Sequence, residues 1–391
     1  MPPRRPNRPS SANPSSVYLP AVAVSLTAVT VGAWMMLRPT CSTCLQVEAG
    51  RCVEDLLATS TWSALNASAR ATLFAAGAEA GLLGSDLQSC GTYMTAALFR
   101  HGGVDIRGAA ASKDIEAGFV CVIGEDELIS VATVRAMLGS EFIGLQELPG
   151  SRGEGVVAAP SGETLKRRTS EDRALMAVLL LRERSRAKSR LAPYIHTFLQ
   201  LPEGVPAGWD SDTPLGAERR SMLKATHPAL LEKADMLRAV IAQKYAQLVP
   251  EALKRLPDLL SEGLPCSENA ACEEEELARF YSVERFAEVW LAISSRDFVN
   301  SLQEKSSTPL DGAYPFPTTF LVPLFDLMNH DRARPTTEVS YDARRRGFVM
   351  QTTRFVRKGE ELLFSYGAQL CRENALGRYG FADPDMDPCP S

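Results

Sequence analysis

The chain has 391 residues, of which 45% are hydrophobic and 23% are charged, and its formal net charge is −5. This length and composition are those of an ordinary globular protein that can bury a large core in two or three folding units. The acidic balance gives no indication of a nucleic-acid-binding surface, so no nucleic-acid partner is expected. The nine cysteines are odd in number and scattered beyond the first three, which is a poor disulfide framework.

The N-terminal region combines a polar leader with a long apolar segment. Residues 1–16 are rich in Pro and Ser and contain Arg but no acidic residue, a composition typical of disorder. Residues 17–37 then run without a charge, and a helix of that length spans ~30 Å, the thickness of a bilayer core. We therefore predict a single-pass membrane protein with a transmembrane helix at 17–37. A cleaved signal peptide and a bipartite organelle-targeting sequence are the alternatives, and the membrane could be that of a plastid or the endomembrane system.

Charges and cysteines near this segment bear on its topology. Arg residues precede the span and only Arg38 closely follows it, so the positive-inside rule places the N-terminus in the cytoplasm and the bulk of the chain across the membrane. Cys41 and Cys44, with Cys52 nearby, favour a thiol-rich loop over a zinc site because no fourth ligand is close. A Cys41–Cys44 disulfide would fit an oxidising compartment.

The remaining residues alternate between helical and β-rich regions. Residues 38–99 are rich in Ala and Leu at helical spacing and predict a spacer or helical extension. Short β-prone pieces follow in 101–132, helical patterns fill about 171–302, and short strands and turns return in 315–381. Neither β-rich part can bury a core alone. We therefore expect an α+β fold in which the two β-rich parts pair and the helical block is inserted between them.

Two motifs near the C-terminal end are the strongest candidates for chemistry. One apolar run ends in Asn329-His330, and a second ends in Tyr366-Gly367. Taken alone, a His after an apolar run is more often structural than catalytic, and Tyr366 could be a core residue with a satisfied hydroxyl group. The sequence contains no nucleophile elbow, phosphate loop or dinucleotide fingerprint, and no His and carboxylate cluster with the spacing of a metal site. No metal is therefore expected.

Taken together, these motifs resemble the C-terminal half of a SET domain. The matching segments are Asp326–His330, Gly359–Gly367, Asn374 and Tyr379–Phe381, with Arg107–Ile115 resembling the N-terminal half. The long helical insert and the segments Lys188–Ile195, Ser295–Phe298 and Thr336–Tyr341 resemble one branch of the family. That branch contains the Rubisco large-subunit lysine methyltransferase and the actin-histidine methyltransferase. The resemblance covers about residues 100–385, which leaves 386–391 as a tail.

The resemblance implies a SET-type fold of short β-sheets with a pseudoknot-like C-terminal part and a large all-helical insert, preceded here by the transmembrane helix. It implies methyl transfer from S-adenosylmethionine to a side-chain nitrogen of a protein substrate, with lysine as the expected acceptor. A histidine N-methyltransferase of the same fold is an alternative. A catalytically degenerate SET module that acts as a binding protein is another.

The resemblance also assigns roles to residues. Tyr366 matches the catalytic tyrosine and Tyr341 matches a second tyrosine of the acceptor pocket. A turn at Gly108–Ala110 is expected to offer backbone groups to the methionine end of the cofactor. The expected cofactor-binding residues are Gly108, Ala109, Ala110, Arg296, Asn329, His330 and Phe381. This chain departs from the Gly-x-Gly-apolar motif of the family at Ile106 and Ala109, and this departure favours the degenerate module.

Overall fold

The computed structural model describes residues 89–101, 104–145, 162–186, 189, 191, 194–195, 199, 201–264, 273–299, 319–342, 344–367, 370–382 and 386–389. The chain divides into units 1–48 and 49–391, and all described residues belong to the second unit. The expected leader at 1–16 and the expected span at 17–37 lie outside the described residues. Among the helices within the described ranges, none is both long enough and apolar enough to cross a membrane.

The helical block extends from Val131 to Ser294 with no strand among its described residues, so it begins earlier than expected. Its helices are α1 Val131–Gly144, α2 Gly162–Ser185, α3 Pro214–Thr226, α4 Pro228–Arg255, α5 Pro257–Ser261, α6 Glu274–Phe280 and α7 Val283–Ser294. Ser130 begins α1 with a capping box, and the side chains of Thr213 and Ser282 cap α3 and α7. These hydroxyl groups accept hydrogen bonds from N–H groups that have no partner within the helix.

Helix α2 is the centre of the helical core. Every side chain from Ala174 to Leu181 is buried, so the helix is apolar on all sides over that stretch. It packs against α1, α4 and α7. The same helix turns charged immediately afterwards, where Arg182 and Glu183 are buried and paired with each other. The first arginine of the basic stretch that follows Leu181 is thus buried in an internal ion pair, as expected because buried charges are usually paired.

The strands of the described residues form three small sheets. They are β1 Met94–His101, β2 Val104–Ala111, β3 Val120–Gly124, β4 Phe298–Val299, β5 Thr319–Phe320, β6 Asn329–His330, β7 Thr337–Asp342, β8 Gly347–Thr352 and β9 Glu361–Phe364, and helix α8 Arg372–Tyr379 follows. The sheet orders are β1-β2-β9-β6, β3-β8-β7 and β4-β5.

The two β-rich parts pair across the helical block, as the order of elements predicted. Strand β2 runs antiparallel to β9 with Ala109 opposite Leu362, and β3 runs antiparallel to β8 with Val122 opposite Val349. Strand β6 runs parallel to β9, with His330 opposite Phe364. The segment around Asn329 therefore reaches the strand that ends just before Tyr366.

Within the described ranges, two disulfides link cysteines that are 31 and 18 residues apart, contrary to the expectation of a poor disulfide framework. Cys90 pairs with Cys121 and Cys371 pairs with Cys389, with Cα–Cα distances of 5.7 and 4.9 Å. These distances lie within the normal range for disulfides. Pairing depends on proximity in the fold, so number and spacing in the sequence could not reveal it. Cys41, Cys44 and Cys52 lie outside the described residues.

Candidate active site

Asn329 ties three strands together through its side-chain amide. Its Nδ2 atom donates hydrogen bonds to the backbone oxygen of Arg107 in β2 (2.9 Å) and to Oε1 of Glu361 in β9 (2.8 Å). Oε2 of Glu361 lies 2.7 Å from Nε2 of His101 in β1. A Cβ atom at Gly108 would lie 2.6 Å from the Asn329 amide and 2.7 Å from the Glu361 carboxylate. Only glycine fits there, because the polar contacts need that space.

His330 and Tyr366 contact each other directly. The backbone N–H of Tyr366 donates a hydrogen bond to Nδ1 of His330 (3.0 Å). In the neutral imidazole, Nδ1 is thus the acceptor and Nε2 carries the proton. The hydroxyl group of Tyr366 donates to the backbone oxygen of Met328 (2.8 Å). Both ends of Tyr366 are therefore fixed against the segment that contains the Asn-His pair.

The rings of Tyr366 and His330, together with three further aromatic rings around them, form what we call the aromatic wall. The ring of Tyr366 lies 4.7 Å from Tyr379, 4.9 Å from Phe364 and 5.2 Å from His330. Phe381 completes the wall at 6.2 Å from His330 and 6.1 Å from Tyr379. Burial raises the pKa of the Tyr366 hydroxyl well above its usual value. Tyr366 is therefore a neutral hydroxyl group at physiological pH.

Helix α8 places two members of the wall. It ends at Gly380, whose φ of +80° is the left-handed conformation that commonly terminates helices. The chain can therefore reverse directly after Tyr379 and return Phe381 to the same surface. A Cβ atom at Gly380 would also lie 2.9 Å from the backbone of Gly204 and Val205. Gly380 thus sets both the turn and the close packing of α8.

A partly buried Arg and a buried Asp lie beside the wall. Nη1 of Arg296 donates to the backbone oxygen of Asp326 (2.9 Å), and Oδ2 of Asp326 accepts a hydrogen bond from the Tyr194 hydroxyl. Burial raises the pKa of Asp326 to about 6, although the nearby Arg296 acts in the opposite direction. Within the described part of the chain, Nε of Arg296 and Oδ1 of Asp326 are buried without a hydrogen-bond partner. Such atoms are costly unless a ligand or water satisfies them.

Comparison with known families identifies this arrangement. The model of the SET domain family matches residues 107–367, which is more than half of the chain. The chain belongs to the SET domain family. The family predicted from the sequence is therefore confirmed, as is an α+β fold of short sheets with a large helical insert. S-adenosylmethionine, the predicted cofactor, is the methyl donor that SET domains use.

Solved structures with the same fold include three of a methyltransferase called LSMT. The SET domain of LSMT bound to lysine and AdoHcy matches with a TM-score of 0.52 and 16% identity, over 80% of this chain and 58% of that chain. Rubisco LSMT bound to AdoMet matches with a TM-score of 0.51 and 16% identity, over 81% of this chain and 57% of that chain. Rubisco LSMT bound to sinefungin and monomethyllysine matches with a TM-score of 0.53 and 17% identity, over 82% of this chain and 57% of that chain. This chain therefore spans less than three fifths of the length of each. No curated protein matches the sequence.

The predicted SET cofactor residues fall into two groups in the structure. Asn329, His330 and Phe381 meet around Tyr366, with Arg296 against the segment that leads into β6. The second group, Gly108–Ala110, is not in a turn as expected but lies inside the continuous strand β2. Ala109 and Ala110 are buried between β1 and β9. The small residues serve strand packing here, and Gly108 serves the close approach of Asn329.

Tyr341 lies at the far end of a row of aromatic residues. Ring contacts of 4.9–5.6 Å lead from Tyr341 through Phe348, Phe298 and Phe364 to Tyr366. The hydroxyl group of Tyr341 donates to Oε1 of the Glu125 carboxylate. The two tyrosines that the SET resemblance assigns to catalysis are therefore connected by packed rings, and only Tyr366 touches His330.

Sequence reasoning missed the ion pairs that hold the Arg296 segment. Asp297 is fully buried and receives Nε of Arg173 at 2.6 Å and Nη2 of Arg378 at 2.5 Å. Nε of Arg378 also donates to the backbone oxygen of Ser294 (2.8 Å). One carboxylate thus fixes the segment between α7 and β4 against both α2 and α8. The Ser-Arg-Asp-Phe motif was noted in the sequence, but its two Arg partners are distant in the chain.

Glu361 and His101 were also missed. Glu361 is a buried acid in the strand that ends at the SET tyrosine motif, and its carboxylate joins Asn329 and His101. An acidic residue within an otherwise apolar strand was the only sequence signal for this role. Its partners lie 32 and 260 residues away, so no local pattern could identify them.

Proposed function

We propose that this chain transfers a methyl group from S-adenosylmethionine to a lysine side chain of a protein substrate. The observation that carries the proposal is the joining of Asn329-His330 to Tyr366 by the Tyr366 N–H···Nδ1 hydrogen bond, within an aromatic wall, in a SET domain. The bound lysine and methyllysine in the LSMT structures support lysine as acceptor.

The residues present fit S-adenosylmethionine. The unpartnered Nε of Arg296 is a buried donor that can bind a carboxylate or hydroxyl group. The ring of Phe381, held beside His330, offers a flat apolar face to an adenine base. The backbone and Oδ1 of Asn329, with the Nε2 proton of His330, supply further polar contacts. When bound, the cofactor supplies a methyl group already activated by a positive sulfur.

Orientation of the acceptor is then the main task of the protein. Because the hydroxyl proton of Tyr366 is held by the Met328 carbonyl, its lone pairs are left to accept a hydrogen bond from the incoming amine. Fixing a nucleophile in line with the methyl group can be equivalent to an effective concentration of ~10⁵ M or more. The neutral Tyr366 hydroxyl positions the amine and does not take up its proton.

The lysine must also lose a proton before it can react. Its unperturbed pKa is ~10.4, and an apolar aromatic surrounding disfavours the charged ammonium form. The rings of Phe298, Phe364 and Tyr379 provide such a surrounding next to Tyr366. We therefore infer that desolvation on entry, with release of the proton to water, generates the neutral amine.

Methylation of a protein mixture tests this function. Full-length protein in detergent, incubated with tritiated S-adenosylmethionine and a lysate of its own cell type, should label one or more proteins on lysine. Tyr366→Phe and Asn329→Ala should lose the label, whereas Tyr245→Phe, the same change in α4, should keep it. Mass spectrometry of the labelled peptide identifies the acceptor, and a methylated histidine would replace the lysine assignment. Labelling that persists in both site variants would rule out this site.

We also propose that residues 17–37 anchor the enzyme in a membrane as a single-pass protein. The support is the run of uncharged residues that is long enough to cross a bilayer. After alkaline carbonate extraction, the wild type and Val29→Leu should remain in the membrane pellet. Val29→Arg should be released in part, because a central Arg costs ~3 kcal/mol on insertion scales. Wild-type protein in the supernatant would refute the anchor.

A further inference from the structure

The segment after α8 folds back onto the start of that helix. The backbone N–H of Arg372 donates to the oxygen of Asp387 (2.9 Å), and the N–H of Cys389 donates to Oε2 of Glu373 (2.6 Å). The disulfide between Cys371 and Cys389 closes the same contact covalently. Residues 386–389, which we call the tail segment, are therefore fastened to the first turn of α8.

The other end of α8 belongs to the candidate active site. The ring of Tyr379 packs on that of Tyr366 at 4.7 Å, and Phe381 follows two residues later. Arg378 holds the carboxylate and backbone of Asp297, next to the segment of Arg296. The helix has eight residues, so it is only ~12 Å long. A shift or loosening at its first turn is consequently transmitted to the rings at its last turn.

We propose that the Cys371–Cys389 pair is a redox-controlled clamp that holds α8 in the position needed for cofactor binding. In the oxidised state the tail segment fixes the first turn of α8 and the aromatic wall is complete. In the reduced state the tail segment is released, and Tyr379 and Phe381 lose their fixed positions. The clamp rests on the proposed function, because it assigns a regulation to the same site.

The chemistry of the clamp is ordinary thiol–disulfide exchange with a small disulfide such as oxidised glutathione. The thiolate of Cys389 attacks the disulfide, forming a mixed disulfide and releasing one glutathione thiolate. The thiolate of Cys371 then attacks the Cys389 sulfur and displaces the second glutathione thiolate. Two protein thiols and one oxidised glutathione thus yield one protein disulfide and two reduced glutathione molecules. Reduced glutathione drives the reverse steps.

The other disulfide among the described residues, Cys90–Cys121, does not suit this role. Cys90 and Cys121 are 1% and 5% exposed and lie in the β core, beside residues such as Met94 and Ile123. In the Cys371–Cys389 pair, Cys371 is 7% exposed, but Cys389 is half-buried in the tail segment, so solvent can reach this disulfide from the Cys389 side. Exposed disulfides are the labile and regulatory ones, whereas buried disulfides are structural and resist reduction. The two pairs therefore provide a switch and an internal control in one molecule.

The same side chains could instead bind a metal ion if the cysteines were reduced. One ligand atom from each of Cys371, Glu373 and Cys389 lies within 4.8 Å of the others. A structural zinc site uses four protein ligands, and among the described residues this cluster offers three. The disulfide accounts for both sulfur atoms, so we favour the clamp and treat zinc as an outcome of the test.

The experiment compares cofactor binding in oxidised and reduced full-length protein in detergent. Sinefungin is the probe, and its Kd is measured by calorimetry in oxidised and in reduced glutathione. We expect a Kd about tenfold higher in the reduced protein, since small misplacements of positioning groups have effects of up to ~10²-fold. Cys389→Ser should bind weakly in both buffers. Cys90→Ser/Cys121→Ser should keep the tenfold response to reduction.

A second measurement does not depend on cofactor. Hydrogen exchange of the amides in 372–381 should be faster in reduced wild type than in oxidised wild type, whereas exchange in α1 should be unchanged. Equal Kd values with equal exchange in the two states would overturn the clamp and leave the proposed function intact. Absence of binding in every state would overturn the proposed function and the clamp with it. Reduced thiols and one bound zinc ion in protein purified under air would overturn the clamp in favour of a metal site.

Discussion

Replacement of Gly108 by Ala tests whether the three-strand contact of Asn329 supports the cofactor site. The new methyl group would lie 2.6 Å from Nδ2 of Asn329, 2.7 Å from Oε1 of Glu361 and 3.0 Å from the ring of Phe99. All three distances are shorter than ordinary contacts, so Asn329 and Glu361 must move apart. The change therefore breaks their hydrogen bond, and it can also break the bond from Asn329 to the Arg107 backbone.

The magnitude follows from these contacts. Inserting a methyl group into a packed position costs ~1–3 kcal/mol, and each lost hydrogen bond removes ~1 kcal/mol. We expect the free energy of unfolding to fall by ~2–4 kcal/mol, the sum of these effects. Because Asn329 is displaced, we also expect the Kd for sinefungin to rise by at least ~10-fold, equivalent to ~1.4 kcal/mol.

Urea unfolding and calorimetry measure the two effects. Gly144→Ala is the matched control, because a Cβ atom at Gly144 meets nothing within 4 Å. That variant should be as stable as the wild type or slightly more so, and its Kd should be unchanged. If Gly108→Ala lost less than ~0.5 kcal/mol of stability, the size of an ordinary surface substitution, the packing argument would be wrong. If it lost stability but kept its Kd, Asn329 would be structural only.

Three further predictions concern the buried charges and the tyrosine. Asp297→Ala should lower the free energy of unfolding in urea by ~3–5 kcal/mol, because Arg173 and Arg378 then lose a fully buried partner; stability within 1 kcal/mol of wild type would contradict this. Burial raises the pKa of Asp326 from its ordinary value of 3.8 to about 6, so the folded state binds the Asp326 proton more tightly than the unfolded state does. Stability should therefore fall as pH rises from about 4 to 6, by up to ~3 kcal/mol, and Asp326→Asn should reduce that slope. Tyr366→Phe should lower methyl transfer by at least ~10-fold while costing only ~1 kcal/mol of stability, which separates positioning from folding.

Much of the architecture follows from features visible in the sequence. Neither β-rich part could bury a core alone, so we expected the two parts to pair. They do so in the structure, with Ala109 opposite Leu362. The meeting of Asn329-His330 with Tyr366 was implied by the SET resemblance and is realised by the parallel pairing of β6 with β9. The start of the helical block at Val131 was missed, because Gly139 interrupts the helical conformation of α1 with a φ of +80°.

The unpredicted features share a physical cause. The partners of Asp297, Glu361 and the paired cysteines are set by strand register and helix docking, and no local period encodes either. The segment Gly108–Ala110 was expected to be a turn because the SET resemblance implied one, and a glycine is compatible with a turn. In the structure the same small residues allow close approach between strands. Composition alone cannot distinguish these two uses of glycine.

The side chain of Asn329 also explains how so short a strand keeps its register. Strand β6 has two residues, so its backbone hydrogen bonds alone define its position weakly. A slip of one residue would turn each of these two side chains, Asn329 and His330, to the other face of the sheet. It would also remove the hydrogen bond from the Tyr366 N–H to Nδ1 of His330. The amide of Asn329 reaches both Arg107 and Glu361 only in the observed register. Because Arg107 lies 222 residues earlier, this contact makes the position of the Tyr366-Gly367 motif depend on correct pairing of the two β-rich parts.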